Sequence, residues 1–146
     1  MQIKYKLLRP GALAPSYQTP GAAGMDLFAS FEDLYGYRII TPGQHAFYPC
    51  GVAIEIPEGY EGQVRPRSGL ARKHGITVLN SPGTIDSDYR GEIGVILHNC
   101  GDDWFSVHQG MRIAQLVIVP IIRAELIQDE LSESQRGTQG FGSTGQ

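Results

Sequence analysis

Residues 112–122 read R-I-A-Q-L-V-I-V-P-I-I, the most apolar run of the chain. The run is short, rich in β-branched residues and free of glycine, so it reads as a strand buried on both faces. Such a strand needs neighbours, and the remaining sequence offers short extended pieces. Ile3, Tyr5 and Leu7 alternate against Gln2, Lys4 and Lys6. Residues 36–48 read as two strands split by Thr41-Pro42-Gly43, and Val52, Ile54 and Ile56 alternate with Ala53 and Glu55. Residues 76–79 and 104–107 add brief strand-like pieces. Nineteen Gly and nine Pro in 146 residues punctuate these pieces with turns. The expected class is all-β, and the length fits one domain.

Four stretches carry chemistry. Asp26 sits between Met25 and Leu27 after a run of small residues. A carboxylate in apolar surroundings needs partners, so it either accepts hydrogen bonds from a turn or orients water or a metal. Residues 68–75, S-G-L-A-R-K-H-G, are the one helix the pattern supports, with Ser68 as N-cap and Gly75 as its stop. Arg67 precedes that helix start, which suits an anion, although an ordinary capped helix explains it equally. Residues 80–95 read as a β-hairpin with Asp86, Ser87 and Asp88 at its bend and Tyr89 beside them. Its backbone edge could read a small planar ligand, and an Asp there could hold a water; a plain surface turn uses the same residues. The tail, R-G-T-Q-G-F-G-S-T-G at 136–145, matches G-x-G-x-x-G literally, but no strand precedes it and no helix can follow. It reads as a flexible tail, or as a segment that orders around phosphate when ligand is present.

Net charge is −3, which argues against general nucleic-acid or anionic-membrane binding. Arg nonetheless outnumbers Lys nine to three, and Arg65, Arg67 and Arg72 cluster, so a local anion site fits. Cys50 and Cys100 form no metal-ligand spacing and are expected as two buried free thiols. The histidines show no paired-ligand spacing. Without a membrane-length apolar run or a signal-peptide pattern, a soluble, cytoplasmic protein is expected. Gln115, inside the apolar run, is an amide that must find partners.

Five segments in order, A-A-G-M-D-L (22–27), P-R-S-G-L-A (66–71), N-S-P-G-T-I-D-S-D-Y-R-G-E (80–92), G-M-R-I-A-Q-L (110–116) and the 136–145 tail, resemble the motifs of the trimeric deoxyuridine triphosphatases, the dUTPases. The resemblance spans nearly the whole chain. It implies a distorted jelly-roll, or β-clip, subunit over residues 1–135, with residues 136–146 as a C-terminal arm closing over the active site. It further implies a homotrimer with shared active sites and Mg²⁺-dependent hydrolysis of dUTP to dUMP and pyrophosphate. That reaction limits uracil incorporation into DNA and supplies dUMP for thymidylate synthesis.

By the same resemblance, Asp86 is the base for water attacking the α-phosphorus. Asn80, Thr84 and Ile85 read the uracil edge, and Tyr89 packs on the deoxyribose, excluding a 2′-hydroxyl. Arg67, Ser68, Gly69 and Gln115 contact phosphate. Arg136 clamps the γ-phosphate, Phe141 stacks over uracil, and Gly142, Ser143, Thr144 and Gly145 close around the terminal phosphates. Asp26 orders the metal's water shell indirectly, while Mg²⁺ itself rides on the triphosphate. Asp88 receives no catalytic role and is expected in a structural ion pair.

Deoxycytidine triphosphate deaminases share the fold and the phosphate logic. Their pattern G-x-x-T-L-E, aligned on Gly91, places Ile96 where the deaminating Glu belongs. A jelly-roll protein that binds dUTP without turnover would have no use for a water-holding Asp86. A capsid-like β-protein would not need a phosphate-ready tail.

Overall fold

The computed structural model describes residues 1–32 and 35–140. The expectations for Phe141, Gly142, Ser143, Thr144 and Gly145 lie outside these residues. In chain order the elements are β1 (Lys4–Leu7), β2 (Met25–Phe28), β3 (Tyr37–Ile40), β4 (His45–Pro49), β5 (Val52–Glu55) and β6 (Tyr60–Arg65). There follow α1 (Ser68–His74), β7 (Ile76–Val78), β8 (Gly83–Ile85), β9 (Gly94–Asn99), β10 (Phe105–His108) and β11 (Arg112–Pro120). The arrangement is all-β with one short helix, as the turn-rich composition predicts. Among the described residues, no helix is long and apolar enough to cross a membrane.

The sheet that positions the site runs β2-β11-β6-β8. A second sheet runs β4-β9-β7, and β1-β5 and β3-β10 form two-stranded ribbons. Every pairing among the described residues is antiparallel. The inward residues Val52 and Ile54 of β5, Val95 and Leu97 of β9, and Ile113 and Leu116 of β11 meet in one core with Leu27, Ile56 and Tyr48. Removing water from each such side chain stabilises the fold by roughly 1.5–3 kcal/mol. Gly62 sits in mid-β6 because a Cβ there would lie 2.9 Å from Ile56 Cδ1 and 3.0 Å from Leu116 Cδ1.

Four expectations need correction. Residues 80–95 are not a hairpin: β8 pairs with β6, whereas β9 lies between β4 and β7. The local turn survives, with Tyr89 N–H donating to the Asp86 carbonyl at 3.1 Å. Sheet partners are chosen by packing across the core, so two adjacent extended pieces feed different sheets. The second correction concerns α1, whose N-cap is Arg67 in an extended conformation (φ −89°, ψ 126°) with no side-chain cap. Its carbonyl accepts the Ala71 N–H at 3.0 Å, so Ser68 is already inside the helix. Gly75 ends the helix in the left-handed region, as expected.

Third, Cys50 is buried but Cys100 is exposed, because it follows β9 in the turn that meets Gly75. Finally, β11 is buried along its first half only. Ile113, Ala114 and Leu116 are buried, whereas residues 117–119 are half-buried and Pro120 is exposed. The flanking β2 ends opposite Leu116, leaving the far half of β11 with β6 as its neighbour.

Candidate active site

Two clusters of site residues hang on the β2-β11-β6-β8 sheet. The first forms where β2 meets β11. Asp26 lies opposite Gln115 in the register, and its carboxylate is buried. Arg67 Nε reaches Asp26 Oδ1 at 3.1 Å, and Arg112 Nη1 reaches Oδ2 at 3.2 Å. Arg67 also donates from Nη1 to the Arg112 carbonyl at 3.0 Å. Arg112, partly exposed, sits at a register shift between Arg112 and Ala114, a bulge that breaks the regular alternation there.

Gln115 Nε2 donates to the Pro66 carbonyl at 2.9 Å, fixing the segment that leads into α1. Gly24 permits this, because a Cβ there would stand 2.6 Å from Gln115 Oε1. The result is an open cleft of about 250 Å³ lined by Asp26, Arg67, Ser68, Gly69, Arg112 and Gln115. Two guanidinium groups against one carboxylate leave net positive charge there. Forked N–H donors beside a helix start suit the oxygens of a phosphate.

The second cluster forms around β8. Thr84 pairs with Gln63 and Ile85 with Gly62. The Asn80 amide packs beside Gly83, where a Cβ would lie 3.1 Å from Nδ2. Asp86 follows as an exposed carboxylate at the start of the turn. Arg90 Nη1 holds that turn from within, donating to the Ser87 carbonyl at 2.6 Å and the Tyr89 carbonyl at 2.9 Å. Tyr89 donates its hydroxyl to the Glu92 carbonyl at 3.0 Å. A larger cleft, about 700 Å³, opens here between Tyr60, Glu61, Asp86, Asp88, Arg90 and Arg123. Asp88 makes no ion pair among the described residues, contrary to expectation. It stands exposed on the turn instead.

One chain does not bring the two clusters together. Asp26 lies opposite Gln115 and then Arg65, whereas Ile85 lies opposite Gly62. Three residue rises and three strand spacings separate them, roughly 17 Å in a flat sheet. Arg136 joins neither cluster; its Nε donates to the Gln139 carbonyl at 2.9 Å.

A family model described as dUTPase matches residues 11–145. The chain belongs to the dUTPase family. Its relatives include the deoxyuridine 5′-triphosphate nucleotidohydrolase of Beijerinckia indica, 60% identical over 92% of this chain and 84% of that protein. The protein of the same description from Chlamydia pneumoniae is 59% identical over 94% of each chain. Among solved structures, a variant of the Staphylococcus bacteriophage 80alpha dUTPase with dUpNHpp superposes with a TM-score of 0.85 at 31% identity, covering 99% of this chain and 98% of that one. A variant dUTPase of phage phi11 of S. aureus, solved to reveal coordination of a structural Mg(II) ion, gives 0.80 at 28% identity, covering 92% and 100%.

For this dUTPase-family chain the donor set bears on where a metal would sit. Among the described residues, no group of three or more His, Cys, Asp or Glu could hold one. Both Asp26 oxygens are already engaged by arginines. That does not fit a protein cage among the described residues. Sequence reasoning assigned no role to Arg112, although it lies in the same segment as Gln115. Charge balance was the available signal, since a buried Asp26 needs more than one cation-bearing donor.

Proposed function

We propose that this chain hydrolyses dUTP to dUMP and pyrophosphate. The observation that supports this most directly is the division of labour on one sheet, a cationic cradle at Asp26, Arg67 and Gln115 and a carboxylate-bearing turn at Asp86. In this reading the cradle, with Ser68 and Gly69, receives the phosphates. Asp86 holds the water that attacks the α-phosphorus and takes its proton. Most of the rate enhancement then comes from positioning and from neutralising charge. Asn80 and the backbone at Thr84 and Ile85 read uracil, and Tyr89 walls off the 2′ position of the sugar. Magnesium carried on the triphosphate would supply charge neutralisation, and Asp26 would hold a water of its shell.

A triphosphate is far shorter than the separation between the two clusters, so a working site takes its cradle and its turn from different copies. A homotrimer with shared sites is the reading that fits. Ile122, Leu126 and Leu131 are 97%, 95% and 96% exposed in the single chain, which suits an arm covered by a neighbour. Residues 136–146 then close as a lid, with Arg136 on the γ-phosphate. The test is pyrophosphate release with Mg²⁺ from dUTP, UTP, dCTP and dTTP side by side. Release from dUTP alone is expected. Release from none of them, with dUTP still raising the melting temperature, would make the chain a binding protein.

A further inference from the structure

Glu92 is the anchor of the 86–92 turn, and nothing in the proposed reaction uses it. Its Oε2 accepts from Arg9 Nη2 at 2.7 Å, and its Oε1 accepts from the Gly51 N–H at 2.6 Å. Arg9 in turn donates from Nη1 to the Ser30 carbonyl. One carboxylate therefore ties the turn to three separate backbone segments, those after β1, after β2 and between β4 and β5. The pair is three-quarters shielded from water, so its hydrogen bonds are charge-assisted and weakly screened.

The same residue controls Tyr89. The Glu92 carbonyl accepts the Tyr89 hydroxyl, and the ring lies against Gly91, where a Cβ would stand 2.4 Å from the hydroxyl oxygen and 2.5 Å from Cζ. Ring, glycine and anchor occupy four consecutive residues. A shift of the Glu92 backbone therefore moves the ring directly. Tyr89 remains 45% exposed and is not part of the core cluster.

We propose that the Arg9–Glu92 pair is a positioning device that sets the Tyr89 ring as the sugar-facing wall of the site, and thereby sets discrimination between 2′-deoxy and 2′-hydroxy nucleotides. The selectivity half of this inference rests on the proposed dUTP hydrolysis; the anchoring half does not. A wall displaced by a fraction of an ångström admits the hydroxyl it should exclude, while the water-holding carboxylate, Asp86, sits at the other end of the turn.

The test uses the full chain and two neutral variants, Glu92→Gln and Arg9→Met, with their double mutant. Hydrogen exchange of the 86–92 peptide and of the Gly51 amide is measured without ligand, and kcat/KM is measured for dUTP and UTP. Faster exchange in this turn and at the Gly51 amide it anchors is expected, with a drop of about tenfold in the dUTP-to-UTP ratio in each variant and no further drop in the double mutant. Unchanged exchange would overturn the anchor whatever the enzyme does. Faster exchange with dUTP and UTP rates falling in proportion would reduce the pair to a structural role and overturn the selectivity claim. A wild-type chain that hydrolyses neither nucleotide would defeat the reading of the site and with it the selectivity claim, while the exchange result would still judge the anchor.

Discussion

Arg112 Nη1 lies 3.2 Å from Asp26 Oδ2 while Arg67 Nε holds the other carboxylate oxygen at 3.1 Å. The two arginines come from different elements, one from β11 and one from the start of α1. A buried carboxylate with only one partner would carry a desolvation cost its single ion pair barely offsets. With two, it becomes a fixed point against which the cradle is built.

Replacing Asp26 with Asn keeps the shape and removes both ion pairs, leaving two cations facing each other. Stability should fall by about 1–3 kcal/mol, read by urea unfolding, and the Mg²⁺ concentration needed for half-maximal activity should rise. Arg112→Ala should cost less, because Arg112 is partly exposed and Arg67 still serves the carboxylate. Equal losses from the two variants would remove the two-sided clamp.

Asp86→Asn should preserve nucleotide binding while turnover drops by about 10²–10⁴-fold. Binding is read by calorimetry with a non-hydrolysable analogue and turnover by pyrophosphate release. Because Asp86 is exposed and makes no ion pair among the described residues, the melting temperature should barely move. Turnover near that of the unmodified chain would take Asp86 out of the mechanism.

Ending the chain before Arg136 removes residues 136–146, of which Arg136 donates to the Gln139 carbonyl and joins neither cluster among the described residues. The β-fold should lose no more than about 0.5 kcal/mol, while activity should fall by about 10²-fold or more. Full activity in the truncated chain would rule out a lid.

Burial pushes the Cys50 thiol up from 9.0 to about 12, with the Glu92 carboxylate adding to the effect and Arg9 opposing it. The folded chain therefore keeps a proton that the unfolded chain releases once the pH passes the ordinary thiol value. Stability from this group is complete below pH 9 and declines as the pH rises toward 12. Cys50→Ala should flatten that alkaline decline. A thiol reagent at pH 8 should label Cys100 in the folded protein, and both cysteines only after denaturation. Rapid labelling of both in the native state would contradict the burial.

Much of this was legible in sequence because it is local. The alternation of Val52, Ile54 and Ile56 and the β-branched run from Arg112 both became strands, and α1 began and ended within a residue of its expected bounds. What the sequence withheld is non-local. Nothing in residues 80–95 says that β8 turns to β6 while β9 joins β4 and β7, since that choice is made by side chains far away in the chain. The same holds for Cys100, whose exposure depends on the turn against Gly75, and for Arg112, whose partner Asp26 lies 86 residues away. The Ser68 cap failed for a narrower reason. Ser68 has the right side chain, but the helix starts one residue earlier, at an arginine committed to Asp26.

The strand β6 lies between β11 and β8, touching the cradle at Arg65 and the turn through Gly62. The distance between the two half-sites is thus counted out in residues along a single strand. Inserting or deleting one residue within β6 would flip its inward side chains to the wrong face and shift one half-site against the other by one rise of about 3.4 Å. The length of this strand is therefore fixed by the site in a way that the length of a surface loop is not.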